Sequence, residues 1–332
     1  MSAPARPLLL PLVPFYLCAL GLRELRLRSG LEPVRRLRQP VISVGSLSAG
    51  GAGKTPLTIA LAQAFTRHSM SVDVLSRGYA RRSRIAAHVD PNGAADDFGD
   101  EPLLIAQEAG VPVYVAAQRY EAGLLAEADR PDVVHLLDDG FQHRQLHRDV
   151  NILLLDRSDW FEDRLLPSGN LREPLAAVRR ATVVAIPAND EAPDFEAALH
   201  ARGWGGPIWR LRRHVEVPPV EGPVAAFCGI ARPAQFFAGL ESSGLHLAVR
   251  LPFPDHYRYT ASDLDRIVSA GRVAGAKAFI TTEKDHVRLG ALATAFAEVL
   301  SVCTARLRVE IEEEDAAIAF LISQLDAAQK RA

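Results

Sequence analysis

Val41-Ile-Ser-Val-Gly45-Ser-Leu-Ser48-Ala49-Gly50-Gly51-Ala52-Gly53-Lys54-Thr55-Pro56 is the stretch on which the architecture turns. Its β-branched start, Val41 to Gly45, reads as a strand, and Pro56 to Phe65 reads as a helix. A glycine-rich turn between a strand and a helix is the setting in which backbone amides can cradle phosphate. Gly50, Gly51 and Gly53 let the N–H groups turn inward, Lys54 adds a mobile positive charge, and Thr55 offers a hydroxyl to Mg²⁺. The expected nucleotide contacts are therefore Ser48, Ala49, Gly50, Gly51, Ala52, Gly53, Lys54 and Thr55, with ATP and Mg²⁺ as the implied ligands. Ser48 stands where the usual pattern has glycine, although Gly45 and Gly50 keep the region flexible.

Working outward, short apolar runs alternate with helical stretches, the mark of a parallel sheet covered by helices. Further strands are expected at Val72–Leu75, Val113–Val115, Val133–Leu137, Ile152–Leu155 and Val183–Ile186. Around Asn189–Pro219 the periodicity weakens among prolines and glycines, and a second series begins at Val224–Phe227, continues at Leu247–Leu251 and Ala278–Ile280, and ends in a helix over Glu313–Gln329. The expectation is an α/β protein with a P-loop NTPase-like, doubly wound, mostly parallel sheet and a second, smaller α/β domain. Its division is an N-terminal segment over 1–38, a P-loop domain over 39–200 and a C-terminal domain over 201–332 that closes over the cleft.

Composition narrows the partners. The 332 residues carry 38 Lys+Arg against 40 Asp+Glu, a net charge of −2, so no global basic field holds nucleic acid and any anion site is local. Hydrophobic residues at 48% and charged residues at 23% fit a folded globular chain. Cys18, Cys228 and Cys303 are too dispersed for a disulfide framework or zinc ribbon, which suits a reducing cytoplasm. Pro7 to Leu22 contains no charge and is followed by Arg23, Arg26, Arg28, Arg35, Arg36 and Arg38 against Glu24 and Glu32. The uncharged run is shorter than the ~20 residues of a spanning helix. It suits a segment lying in the interface of an anionic membrane, or a helix packed on the protein's own core.

The acids and histidines supply candidates for chemistry. Val133-Val-His-Leu-Leu-Asp138-Asp139-Gly140 delivers two carboxylates to the sheet's carboxyl edge, where open α/β sheets bind ligands. Asp138 is the first choice for the Mg²⁺ shell and Asp139 the second, since successive strand residues point opposite ways. Asp100 in Gly99-Asp-Glu-Pro102 can cap a helix or orient a hydroxyl for attack. His256 in Asp255-His-Tyr257 can take up a proton or satisfy a turn. His143, His147 and His286 are rival imidazoles without metal-ligand spacing.

Together these residues resemble the tetraacyldisaccharide 4'-kinases of lipid A synthesis. The resemblance rests on Pro40 to Pro56, Leu75-Ser-Arg-Gly-Tyr79, Gly99-Asp-Glu-Pro102, Leu137-Asp-Asp-Gly-Phe-Gln-His143 with Leu146-His-Arg-Asp149, Leu165 to Pro174 with its Leu-Arg-Glu-Pro, Phe253-Pro-Asp-His-Tyr257 and Thr281-Thr-Glu-Lys-Asp285. Two positions depart from the family pattern: Ser46 replaces the usual Asn and Ser168 the commoner Ala. The resemblance implies a Mg²⁺-ATP-dependent kinase that phosphorylates the 4'-hydroxyl of tetraacyldisaccharide 1-phosphate, giving lipid IVA. It places the enzyme peripherally on the cytoplasmic leaflet of the inner membrane, with no obligate protein partner. It makes Asp100 and His256 a catalytic pair acting with Lys54. Arg77, Arg119 and Arg172, together with Glu101 and Gln142, become candidates for substrate binding.

Two other readings share the loop. A P-loop small-molecule ligase or metallochaperone GTPase has the same Gly-Gly-x-Gly-Lys-Thr form, but the paired ATPases often carry a signature Lys where this chain has Ala49. A nucleotide-switched membrane-targeting NTPase would also explain the basic N-terminus, and would not need Asp100.

Overall fold

The computed structural model describes residues 6–51, 53–162, 164–293 and 302–330; Ala52 of the glycine-rich loop lies outside them. The strands are β1 (Val41–Ser46), β2 (Val72–Ser76), β3 (Ala87–His88), β4 (Val113–Val115), β5 (Val134–Leu137), β6 (Val150–Leu154), β7 (Val183–Pro187), β8 (Ile208–Glu216), β9 (Val224–Cys228), β10 (Leu247–Pro252), β11 (Ala278–Thr282) and β12 (Val302–Ile311). Among the described residues they form one sheet in the order β10-β9-β11-β12-β8-β7-β6-β1-β5-β2-β4-β3. From β8 through β4 neighbours are parallel, as they are from β10 through β12, so the expected α/β class is observed. One long antiparallel pair, β8 with β12, welds the two parallel blocks together.

Its first strand, β8, lies in the stretch where the periodicity weakens, and β12 lies where no strand is expected. Asn189–Pro219 contains a helix over Ala192–Ala201 and the nine-residue β8. In Ile208-Trp-Arg-Leu-Arg-Arg-His-Val-Glu216 the arginines alternate with apolar residues, and β12 follows the same rule through Arg306 and Arg308. Strands with one wet face read as alternation and not as apolar runs, so a search for buried strands passes over them.

The central strands β1, β2 and β5 are buried along their whole length because helices cover both faces. The helix Lys54–Arg67 lays Leu57, Leu61 and Phe65 on Ile42, Val44 and Val74. Full burial of each such side chain contributes roughly 1.5–3 kcal/mol. The opposite face packs Leu47, Phe141, Leu153 and Trp160. A Cβ on Gly45 would stand 2.5 Å from Phe141 Cβ, so glycine is required where β1 passes under the Asp-Asp-Gly-Phe turn. That close approach brings the phosphate loop and the paired aspartates into one cleft.

The N-terminal stretch is a 3-10 turn, Pro7–Leu12, running into a helix over Val13–Arg28. It is long and apolar enough to cross a membrane by length and composition. None of its residues is buried, and Leu8, Leu10, Phe15, Leu22 and Leu25 face outward, so of the two placements open from sequence the helix is not part of the core. Polar contacts tie it down on one side: Tyr16 Oη donates to Arg172 O at 2.7 Å, Arg23 donates to the carbonyl of Gln142, and Glu24 pairs with Arg144.

Candidate active site

The phosphate loop leaves β1 and re-enters helix at Gly53, whose φ of 83° starts the helix Lys54–Arg67 from the left-handed region. Gly50 and Gly51 have φ of 79° and 55°, conformations that side chains resist. Lys54 Nζ lies 3.3 Å from Ser46 Oγ and 3.5 Å from Asp139 Oδ1, so the lysine spans from the end of β1 to the end of the adjacent β5. Ser48 and Thr55 are buried in the same turn.

Asp138 and Asp139 are separated by their surroundings. Thr58 Oγ1 donates to Asp138 Oδ1 at 3.1 Å, and Asp138 is almost fully buried. Burial, with Glu101 and Asp139 close by, pushes the Asp138 carboxyl up to about 7. Asp139, at φ 47°, receives Arg172 Nη1 at 3.0 and 2.9 Å on its two oxygens. Burial opposes ionisation there too, but Lys54 and Arg172 outweigh it and hold the Asp139 carboxyl below the ordinary range. Thr55, Asp138 and Asp139 are hard oxygen donors of the kind Mg²⁺ prefers.

Asp100 begins the helix Asp100–Glu108, directly after Gly99 at φ 93°. Its Oδ2 meets His256 Nδ1 at 3.0 Å and Arg288 Nε at 2.7 Å, and its Oδ1 accepts the Glu101 amide at 2.9 Å. Burial works against its charge, yet the His256 hydrogen bond and the Arg288 and Lys284 charges win and hold Asp100 well below the usual carboxylate range. The hydrogen bond to Asp100 in turn raises His256. His256 sits at φ 56° with its amide bonded to Gly229 O at 3.1 Å, and its ring stands 5.3 Å from the exposed Tyr79. The pair therefore bridges the P-loop block and the β9–β10 region, 156 positions apart in sequence.

Arg288 and Lys284 are site residues that sequence reasoning did not single out. Both lie on the helix Glu283–Leu289, capped by Thr282, whose side chain accepts from the Asp285 amide. Lys284 pairs with Glu101, while Arg288 reaches Asp100 and Asp285. The only sequence signal was their position in or just after Thr281-Thr-Glu-Lys-Asp285.

A cavity of about 580 Å³ opens beside Asp139, walled by Arg23, Arg35, Arg77, Arg119, Arg172 and Gln142. Arg119, the first residue of the helix Arg119–Asp129, is buried with its Nε lacking a hydrogen-bond partner, and burial lowers it to about 10. Gln142 donates to Ser46 O at 3.0 Å and receives Arg172 at 3.3 Å. Three sequence-selected arginines thus share one cavity, joined by Arg23 and Arg35 of the basic flank. His143 lies there as well, its imidazole lowered to about 3 by burial and the surrounding arginines. Glu101 stands outside the cavity wall, on the Lys284 side.

Known proteins match this chain along nearly its whole length. The model of the family described as tetraacyldisaccharide-1-P 4'-kinase matches residues 5–326. The tetraacyldisaccharide 4'-kinase of Koribacter versatilis is 39% identical over 96% of this chain and 99% of its own. That of Anaeromyxobacter dehalogenans is 39% identical over 92% of this chain and 86% of its own. The crystal structure of LpxK from Aquifex aeolicus, described as in complex with ATP, superposes with a TM-score of 0.75 at 33% identity, covering 96% of this chain and 99% of that one. The chain belongs to the tetraacyldisaccharide-1-P 4'-kinase family.

Proposed function

We propose that this kinase moves the γ-phosphoryl group of ATP to the 4'-hydroxyl of tetraacyldisaccharide 1-phosphate, forming lipid IVA, at the cytoplasmic leaflet of the inner membrane. The observation that carries the reading is the arginine-walled cavity that shares Asp139 and Arg172 with the phosphate-loop lysine, beneath an exposed apolar helix. An anionic head group can lie in that cavity while its acyl chains stay in the bilayer.

In this reading Asp100 accepts the proton of the attacking hydroxyl and His256 orients it and balances its charge. A carboxylate held so firmly anionic is a weak base, which suffices because phosphoryl transfer passes through a loose transition state. Lys54 and the loop amides bind the phosphate oxygens. Thr55 and Asp138 would hold Mg²⁺, with Asp139 as the second carboxylate. The crowding of Asp138 by Glu101 and Asp139 is an acidic excess that a cation relieves. When bound, Mg²⁺ supplies charge neutralisation across the β- and γ-phosphate oxygens. Arg119, with its unpartnered Nε, and Arg77 fit the substrate's phosphate, since a guanidinium matches that geometry. The C-terminal block brings His256 and Arg288 to Asp100, so closing it over the cleft would exclude water.

The deciding experiment is transfer of ³²P from the γ-position of ATP to the lipid in mixed micelles, with wild type beside Lys54→Ala and Asp100→Ala. Labelled lipid from wild type and little from either variant supports the reading. ATP hydrolysis without labelled lipid, at any acyl length, defeats it.

A further inference from the structure

The glycines of the phosphate loop are covered by residues of β8 and the C-terminal block. A Cβ on Gly51 would stand 2.9 Å from Arg232 Cδ and 3.0 Å from its Nε, and a Cβ on Gly50 would stand 3.0 Å from Ala231 Cβ. Arg213 of β8 lies against the next glycine, its Cζ 3.4 Å from a Cβ on Gly53. Both guanidinium groups converge on Asp156, which follows β6 and is largely buried. Arg232 Nη1 donates to Oδ2 at 2.6 Å and Arg213 Nη1 lies 3.3 Å from Oδ1. Arg232 is itself mostly shielded, with its side chain 18% exposed.

An arginine pressed on a glycine-only stretch of phosphate loop has two needs met at once. Glycine lets it approach, and a carboxylate holds it in place before any phosphate arrives. Its hydrogen bond to Asp156 runs through Nη1, whereas a guanidinium carries five N–H donors. The remaining edge can turn to the phosphate chain that the loop amides bind. Arg232 immediately precedes the helix Pro233–Ser242, so the C-terminal block carries it to the loop.

We propose that Arg232 is a further catalytic residue of this kinase, an arginine delivered in cis to the γ-phosphoryl group over Gly50–Gly51, and that Asp156 is its positioning residue. As the bond from phosphorus to the β,γ-bridging oxygen breaks and the bond to the acceptor oxygen forms, charge spreads over the three equatorial oxygens. The acceptor proton passes to Asp100, ADP leaves with the bridging oxygen, and the Arg232 guanidinium meets the equatorial charge. This rests on the phosphoryl-transfer reading above.

The test uses the full chain with Arg232→Ala, Arg232→Lys and Asp156→Asn. Titration calorimetry with Mg²⁺ compares ADP with the non-hydrolysable ATP analogue AMP-PNP, and steady-state assays give kcat and both KM values. Arg232→Ala should lose about tenfold of its preference for AMP-PNP over ADP, and about 10³-fold in kcat, with lipid KM changed less than threefold. Arg232→Lys should recover part of kcat, since an ammonium keeps the charge without the planar fork. Asp156→Asn should lower Tm, because Arg232 and Arg213 lose their counter-charge, and should lower kcat about tenfold at a temperature where it is folded, with no further loss when combined with Arg232→Ala. An unchanged AMP-PNP preference in Arg232→Ala, or an equal loss of both nucleotides, overturns the proposal. If wild type labels no lipid, the acceptor reading falls while the nucleotide titration still decides on Arg232.

Discussion

Asp100 and Asp138 are both buried carboxylates in one cleft, and their surroundings push them in opposite directions. Asp100 starts a helix, where the backbone N–H groups favour negative charge, and its Oδ2 is shared between His256 and Arg288. Asp138 ends a strand beside Asp139 and Glu101, with a threonine hydroxyl as its hydrogen-bond donor. The protein therefore stabilises one charge in advance and leaves the other wanting a cation. The lesson concerns role: a carboxylate poised to accept a hydroxyl proton must be free of its own proton, whereas one that waits for a metal can hold a proton until the metal displaces it.

The sharpest way to break this contrast is kinetic. Asp100→Ala should lower kcat about 10³-fold, within the range for a lost general base, while leaving ATP affinity within threefold. A loss seen mainly in nucleotide binding would place Asp100 in the same functional class as Asp138 and dissolve the distinction.

Stability gives a second comparison, with opposite signs. Asp100 is held low, so its contribution is present above the ordinary aspartate pKa and is lost as pH falls through its lowered value. At pH 8 without metal, Asp100→Asn should cost about 2 kcal/mol, because His256 and Arg288 lose their counter-charge. Asp138 is raised, so its ionised form burdens the fold as pH climbs from about 4 toward 7. Asp138→Asn should therefore raise Tm at pH 8 by a few degrees. Denaturation of both variants at pH 8 and pH 4 checks this: the Asp138 difference should shrink at pH 4, whereas the Asp100 difference, whose window lies below the ordinary aspartate pKa, should persist there. The same proton competes with the metal. Mg²⁺ affinity of wild type should rise about tenfold per pH unit up to about 7 and then level, and Asp138→Asn should flatten the profile.

How much of this was legible beforehand differs between the two carboxylates. Asp138 could be placed from sequence because β5 is an apolar run broken only by His135 and followed by Asp-Asp-Gly, and a strand next to β1 must deliver its end to the loop. The pairing of Asp100 with His256 came only through the family resemblance, since its members are 156 positions apart and each alone fits a cap or a turn. Arg288 was invisible: it is 188 positions from Asp100, and an arginine in the last turn of a short helix has an ordinary local explanation. The weld between blocks was missed for a different reason. β8 and β12 carry arginines on their exposed face, so their apolar content is too low to stand out as buried strands. Local pattern shows which face a segment buries, and it does not show which distant segment it meets.

The smallest expected effect lies at the edge of the Asp100 cluster. His256 is raised by its hydrogen bond to Asp100, so its contribution is fully present below its unfolded pKa and disappears as pH rises through the raised value. Its side chain is 36% exposed, and water screens much of the attraction. We expect about 0.5 kcal/mol to be lost between pH 6.5 and pH 9 in wild type relative to His256→Ala. The window matters more than its size. Because Asp100 stays anionic across it, any alkaline decline in kcat over the same range that vanishes in His256→Gln belongs to the imidazole. Titration of His256 by NMR, repeated in Asp100→Asn, locates the cause: the imidazole should fall back toward its ordinary value once the carboxylate is neutral. Were it to stay raised, Asp255, whose Oδ2 lies 4.0 Å from the other ring nitrogen, would be the group responsible. The opposition between a pre-stabilised Asp100 and a waiting Asp138 would then lose half of its physical basis.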